Sequence, residues 1–203
     1  MTPISKGSSY GEPGGLPVDG VIVRSDGEAR AVVEPALRAR RRLPVLGLLG
    51  GDLRRTLGGP TDEARLRSPE AMRFPVDVGE VLLDGRLHFF VAHLVVRSRG
   101  WGEAFVAMNA QWLGRWELGP HSHPGDGLLD AYQARLSVAD RLRVRGRLHG
   151  GGHLPHPGIR ERRAPAAQVE LSRPLPVLLD GQHAGRAREV SVRVRPDALT
   201  VVV

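Results

Sequence analysis

Two short apolar runs, each passing through a glycine-bearing turn into helical spacing, precede a long series of β-rich runs separated by turn dipeptides. This switch in periodicity limits the chain to a small α/β layer joined to an antiparallel β domain. In the first unit Gly20-Val21-Ile22-Val23 ends in Arg24-Ser25-Asp26-Gly27, and from Glu28 onward Ala29, Val32, Val33, Ala36 and Leu37 recur at helical spacing. Pro35 lies within that helix and is expected to kink or shorten it, because proline lacks the N–H the helix needs. In the second unit the strand at residues 44–49 leads through Gly50-Gly51-Asp52 into a short helix over 53–57, closed by Gly58 and Gly59. Two such units in succession predict parallel strands.

After a short helix expected within residues 61–72, the runs at 76–83, 87–96 and 103–108 read as strands joined by turns such as Asp84-Gly85 and Arg99-Gly100. Ser137 followed by Asp140 resembles a capping box and predicts a helix over 138–148, although Arg141, Arg143, Arg145 and Arg147 also alternate as in a strand. Four β-rich runs close the chain at 167–171, 175–179, 189–194 and 199–203, with Asp180-Gly181 and Pro196-Asp197 as turns. Residues 1–17 are rich in Ser, Gly and Pro and are expected to form a flexible leader.

A chain of 203 residues, 41% of them hydrophobic, can bury a real core. The absence of cysteine excludes disulfides, thiolate zinc sites and cysteine nucleophiles. No apolar run approaches the ~20 residues of a membrane-spanning helix and the first residues lack a signal peptide's apolar core, so a cytoplasmic protein, peripheral at the membrane at most, is expected. The net charge of +7 suits anionic lipid, nucleic acid or a phosphorylated ligand, while an aromatic content of 4% argues against stacking platforms for single-stranded nucleic acid. His121 and His123, and His149, His153 and His156, lack the spacing of a zinc motif. Arg40 to Arg42 and Arg160 to Arg163 read as solvated faces, or secondarily as contacts for anionic headgroups.

The order Pro124-Gly125-Asp126-Gly127-Leu128-Leu129-Asp130, then Pro174-Leu175-Pro176-Val177-Leu178-Leu179-Asp180-Gly181, then Val190-Ser191-Val192-Arg193-Val194 and Ala198-Leu199-Thr200-Val201, resembles the carboxy-terminal β domain of bacterial diacylglycerol kinase-like lipid kinases, in the diacylglycerol, sphingosine and NAD kinase superfamily. Upstream, Arg24-Ser25-Asp26-Gly27-Glu28 is similar to that family's GGDGT turn, and Gly50-Gly51-Asp52 with Arg55-Thr56-Leu57-Gly58 is similar to its GTGND turn and the helix after it. Phe74-Pro75-Val76-Asp77-Val78-Gly79 resembles the family's valine-aspartate strand. The resemblance implies a reduced α+β / α/β NAD kinase/diacylglycerol kinase-like architecture. Residues 18–73 would form a truncated nucleotide-binding-like domain and 74–203 a C-terminal antiparallel β-sandwich domain, the final strand being free to return to the first. The strand-helix-strand-helix portion that precedes GGDGT in the family has no counterpart here beyond the leader.

The resemblance further implies a lipid kinase using ATP and Mg2+. Asp180 would be the catalytic base, Asp26, Gly27, Gly50, Gly51, Asp52 and Gln182 would bind the nucleotide, and Asp126 with the Leu128 carbonyl would hold a structural magnesium. Arg24 and Ser25 occupy the two leading glycine places of the phosphate turn, and Glu28 stands where threonine is usual, adding negative charge beside an anionic ligand. Gln182 replaces a charged glutamate, and His123 replaces the acidic residue expected before Asp126. Asp26-Gly27 also reads as a plain strand-to-helix turn, and Asp180-Gly181 as a plain hairpin turn. Three functions therefore stand open: phosphoryl transfer to a lipid hydroxyl, a non-catalytic relative that binds lipid, nucleotide or protein, and a basic nucleic-acid binder. The expected partner is a lipid or an anionic membrane surface; nucleic acid is disfavoured and homodimer assembly is left open.

Overall fold

The computed structural model describes residues 10–59, 62–152 and 154–203, so residues 1–9 of the expected leader, Thr61 of the expected helix and His153 lie outside the described residues. The chain runs β1 (Glu12–Pro13), β2 (Val21–Val23), α1 (Asp26–Arg38), β3 (Leu46–Leu48), α2 (Gly51–Leu57), α3 (Glu63–Leu66), β4 (Met72–Leu83), β5 (Arg86–Phe90), β6 (His93–Arg97), β7 (Glu103–Met108), β8 (Leu129–Arg135), α4 (Val138–Arg147), a 3-10 turn at Leu148–Gly150, β9 (Ile159–Ala164), β10 (Ala166–Leu179) and β11 (Gln182–Val202). One largely antiparallel sheet has the order β1-β4-β11-β10-β6-β7-β8-β9, with β5 on β4 and the parallel pair β2-β3 joined to the end of β11. It folds over a core in which Val81, Phe90, Phe105, Leu129, Leu175 and Val190, from six different strands, meet out of water. The reduced α+β architecture with a β-sandwich-like domain is therefore present.

The parallel layer forms as its periodicity predicts. Val201 and Val202 lie beside Leu46 and Gly47, so the last strand returns to the first part of the chain, and Val23, Val33, Leu48, Val76 and Val201 share a second core. Helix α1 continues past Pro35 to Arg38, with Glu34 accepting hydrogen bonds from Arg30 (2.8 Å) and Arg38 (2.7 Å), so the proline does not shorten the helix. Helix α4 forms over the expected residues: Ser137 Oγ accepts from Asp140 N at 3.2 Å, and Asp140 Oδ2 accepts from the same hydroxyl at 2.6 Å.

Three sequence expectations are corrected. The run at 87–96 is two strands, because the N–H groups of Val91, Ala92 and His93 leave the ladder to bind the Asp180 carboxylate. Residues 167–171 and 175–179 belong to one strand, β10, whose register shifts between Glu170 and Leu175 and between Pro176 and Leu178 accommodate Pro174 and Pro176. Pro196-Asp197 is a bulge inside continuous β11, with Asp197 at φ 50 and its N–H donating to Asp77 Oδ1 at 2.9 Å. Arg160 to Arg163 lie on β9, a strand paired only with β8 among the described residues. Among the described residues no helix is long and apolar enough to cross a membrane.

Candidate functional site

The turn after β2 places Ser25 at the N-cap of α1, where its Oγ accepts from Glu28 N at 3.1 Å. Glu28 reaches back and its carboxylate accepts from Arg24 N at 2.7 Å. These two bonds form a capping box whose return arm lands one residue early, and they occupy two of the backbone donors at this turn, the N–H groups of Arg24 and Glu28. The site's own glutamate sits where an anionic group would be received.

Asp26, in the first turn of α1, does not face outward. Its oxygens accept from Asp52 N at 2.6 Å and Leu53 N at 3.1 Å, so Asp26 caps α2, whose own N-cap residue Gly50 has no side chain to do so. The two glycines of that turn are required by this junction. A Cβ on Gly50 would lie 2.1 Å from the Arg24 carbonyl oxygen, and Gly51, at φ +94, would carry a Cβ 2.4 Å from Asp26 Oδ1. Burial pushes the Asp26 carboxyl up, opposed by the two amides.

Asp52 faces the other way. Its Oδ2 accepts from Gly114 N at 2.8 Å and lies 3.1 Å from His93 Nε2. With a carboxylate as acceptor Nε2 carries the proton, and the other ring nitrogen, Nδ1, is buried with no hydrogen-bond partner among the described residues. Burial alone would lower the His93 pKa, but the Asp52 hydrogen bond and the charges of Asp180 and Asp26 outweigh it and raise it.

Asp180 and Gly181 form the two-residue turn between β10 and β11, both at positive φ (50 and 78), as a type I′ hairpin demands. The Asp180 carboxylate points inward and accepts three backbone N–H bonds, from Val91 (2.9 Å), Ala92 (2.8 Å) and His93 (3.0 Å). Burial, with the nearby Asp26 charge, pushes its pKa up to about 6 against the opposing pull of His93 and the amides. Gln182 follows; its Oε1 accepts from Arg30 at 2.9 Å, and a Cβ on Gly27 would touch its side-chain nitrogen at 2.6 Å.

The fold thus gathers Asp26, Gly27, Gly50, Gly51, Asp52, Asp180 and Gln182 around one junction of α1, α2 and the β10–β11 turn. Asp26, Asp52 and His93 each offer a ligand atom within 4.8 Å of the others. Asp126 and Leu128 stand apart, in the loop before β8. Asp126 Oδ1 accepts from Leu128 N at 2.9 Å, and its other oxygen is engaged by Arg163, which also lies 3.7 Å from Asp130. A guanidinium supplies there the charge that a magnesium would supply.

Two residues of the site escape the sequence reading. His93 lies within an apolar run, and that interruption is its only sequence signal. Asn109 is fully buried and its side-chain amide donates to the carbonyls of Asp77 (2.9 Å) and Val91 (2.8 Å), tying β4 to the bend that holds Asp180.

The donor set does not fit Mg-ATP. The phosphate turn is closed by Ser25 and Glu28, Asp26 is spent on α2, Asp180 has both oxygens on backbone amides, and Gln182 is held by Arg30.

Comparison with known proteins gives one family and one fold. Residues 70–203 match the YegS C-terminal NAD kinase beta sandwich-like domain. A proposed diacylglycerol kinase from Bacillus anthracis str. Sterne has a similar solved structure, with TM-score 0.68 and 16% identity over 90% of this chain and 77% of that one. A second structure, of a diacylglycerol kinase from the same organism, gives TM-score 0.62 and 17% identity over 90% of this chain and 75% of the other. At these identities the likeness concerns the fold. Comparison with curated proteins finds no match.

Proposed function

Because the chain belongs to the family of the YegS C-terminal NAD kinase beta sandwich-like domain, we propose that it is a non-catalytic, lipid-recognising relative of diacylglycerol kinase-like proteins whose nucleotide turn is closed by its own side chains. The observation that carries this reading is the capping box at the start of α1. Ser25 and Glu28 consume the donors at residues 24 and 28, and the Glu28 carboxylate adds a repulsion of about 1 kcal/mol or more against each nearby phosphate charge. Restoring a cradle means breaking both bonds. On this reading residues 18–73 form a nucleotide-domain-like layer, and 74–203 are the part that recognises ligand at an anionic surface.

One observation favours catalysis instead: a carboxyl pushed up to about 6 at Asp180 suits a general base near neutral pH. Its side chain is nevertheless buried, the residue being only 6% exposed, and both oxygens are already bonded to the backbone.

The test is calorimetric titration with Mg-ATP of the wild type and of a variant carrying Arg24→Gly, Ser25→Gly and Glu28→Thr, followed by phosphate transfer to mixed bacterial lipids. We expect no measurable binding by the wild type and a gain in the variant. Micromolar binding by the wild type, with transfer abolished by Asp180→Asn, would overturn the proposal and establish a reduced lipid kinase.

A further inference from the structure

The parallel layer stops at β2, which pairs with β3 on one side and, among the described residues, with no strand on the other. The inner bonds fix which backbone groups face that open side. Val21 N donates to Val45 O and Val23 O accepts from Leu49 N, both at 2.9 Å, so Val21 and Val23 turn their N–H and C=O groups toward β3. Successive residues of a strand direct these groups to opposite edges, so Ile22 presents its N–H and C=O outward. Among the described residues no turn, loop or cap takes up either group.

Both faces of this strand are nevertheless covered. Val21 and Val23 pack with Ala29 and Val33 of α1, while Ile22 packs on the opposite face with Leu16, Leu66 and Val202. Helix α1 leans back over the sheet rather than out past β2: its Glu34 lies 3.4 Å from His88 of β5, and Arg38 donates to the Leu87 carbonyl. The edge itself is left clear. Val21-Ile22-Val23 contains no charge, proline or bulge, the devices that ordinarily keep an edge strand single. Strand β9, also paired on one side only, carries Arg160, Glu161, Arg162 and Arg163 and is guarded in that way.

We propose that β2 pairs antiparallel with β2 of a second copy of this chain, about a two-fold axis through Ile22, so that the parallel layers of two molecules join into one sheet. The register follows from the free groups. Ile22 faces Ile22 of the second copy and the two exchange both N–H···O bonds, whereas centring the axis on Val21 or Val23 would oppose residues whose backbone groups β3 already holds. In this register Val21 faces Val23 of the second copy, and Arg24 faces its Gly20. Charge agrees with the geometry. Asp19, exposed and beside Gly20, has no ion-pair partner among the described residues, and the Arg24 side chain is 65% exposed on Glu63 at 3.3 Å. Each Arg24 guanidinium thus comes within reach of Asp19 of the other copy, giving two opposite-charge contacts and no like-charge pair. The same register carries Val18, 97% exposed in that turn, against the second copy. The dimer lies alongside the Arg24-Ser25 turn but forms whether or not that turn admits a nucleotide.

The test is sedimentation equilibrium of the full chain without nucleotide up to about 200 µM, a range that detects a dimer of micromolar affinity. A concentration-dependent doubling of mass is expected. Asp19→Arg and Arg24→Asp, both at exposed positions, should each weaken it on the order of tenfold, since each replaces two attractive contacts with two repulsive ones. An equimolar mixture of the two variants should recover dimer at about the wild-type affinity, because every contact is then again between opposite charges. Amide exchange supplies an independent reading: the Ile22 N–H should be protected in the wild-type dimer and exchange fast in the monomeric Asp19→Arg chain, while the Val23 N–H, bonded to β3, stays protected in both. A wild type that remains monomeric would overturn the proposal and leave the edge to some other strand. So would a dimer indifferent to both substitutions, a mixture no tighter than the single variants, or an Ile22 amide that exchanges equally fast in dimer and monomer.

Discussion

Replacing Asp180 with asparagine tests which force governs the buried carboxylate. The residue sits at φ 50, a conformation asparagine adopts readily, so Asp180→Asn leaves the turn unstrained. Ala92 and His93 both donate to Oδ1 and Val91 donates to Oδ2, so an asparagine oxygen can keep the first two bonds while its NH2 opposes the Val91 N–H. That mismatch costs about 1–3 kcal/mol at every pH. Against it stands the charge. A carboxyl raised from 3.8 to about 6 corresponds to about 3 kcal/mol of penalty for holding it ionised in the folded state. Because the folded pKa lies above the unfolded one, the folded protein keeps a proton that the unfolded chain has already lost. The favourable contribution is full below 3.8 and is lost as pH rises through about 6. Urea unfolding of wild type and Asp180→Asn at about pH 4.5 and about pH 7.5 should therefore show the wild type losing about 2 kcal/mol relative to the variant across that interval. A difference that stays constant, or one that moves the other way, would refute the reasoning. It would mean that three amides and His93 hold the carboxylate ionised more strongly than burial opposes it.

Two further outcomes follow from the same junction. Ser25→Ala removes the side-chain acceptor for Glu28 N and should lower stability by about 1 kcal/mol, read as a lower urea midpoint at unchanged m-value. Gly50→Ala should abolish or severely reduce folded protein, since its Cβ meets the Arg24 backbone carbonyl at 2.1 Å, whereas Gly27→Ala meets only the flexible end of Gln182 and should fold, with a thermal midpoint close to that of the wild type; equal losses in the two would show that the Gly50 contact is not what fixes this turn.

The sequence by itself determined the order of the elements and the identity of the turns. Alternating and helical spacings are local properties, so β2, α1, β3, α2 and α4 form where their apolar positions fall, and Asp84-Gly85 and Asp180-Gly181 turn because those residues accept positive φ. The glycines and aspartates of the site were also legible as residues. What they do was decided by tertiary structure. Asp26 caps a helix that begins 25 residues later, Asp180 collects the amides of a bend nearly ninety residues earlier, and the prolines at 174, 176 and 196 sit in long strands because bulges in the sheet release their missing N–H groups. His93 and Asn109 gave little sequence signal because their partners, Asp52, Asp77 and Val91, approach only when strands distant in sequence are packed together. A buried polar group must find its partner wherever the fold brings one, and that partner is set by the packing of the sheet rather than by neighbouring residues in the chain.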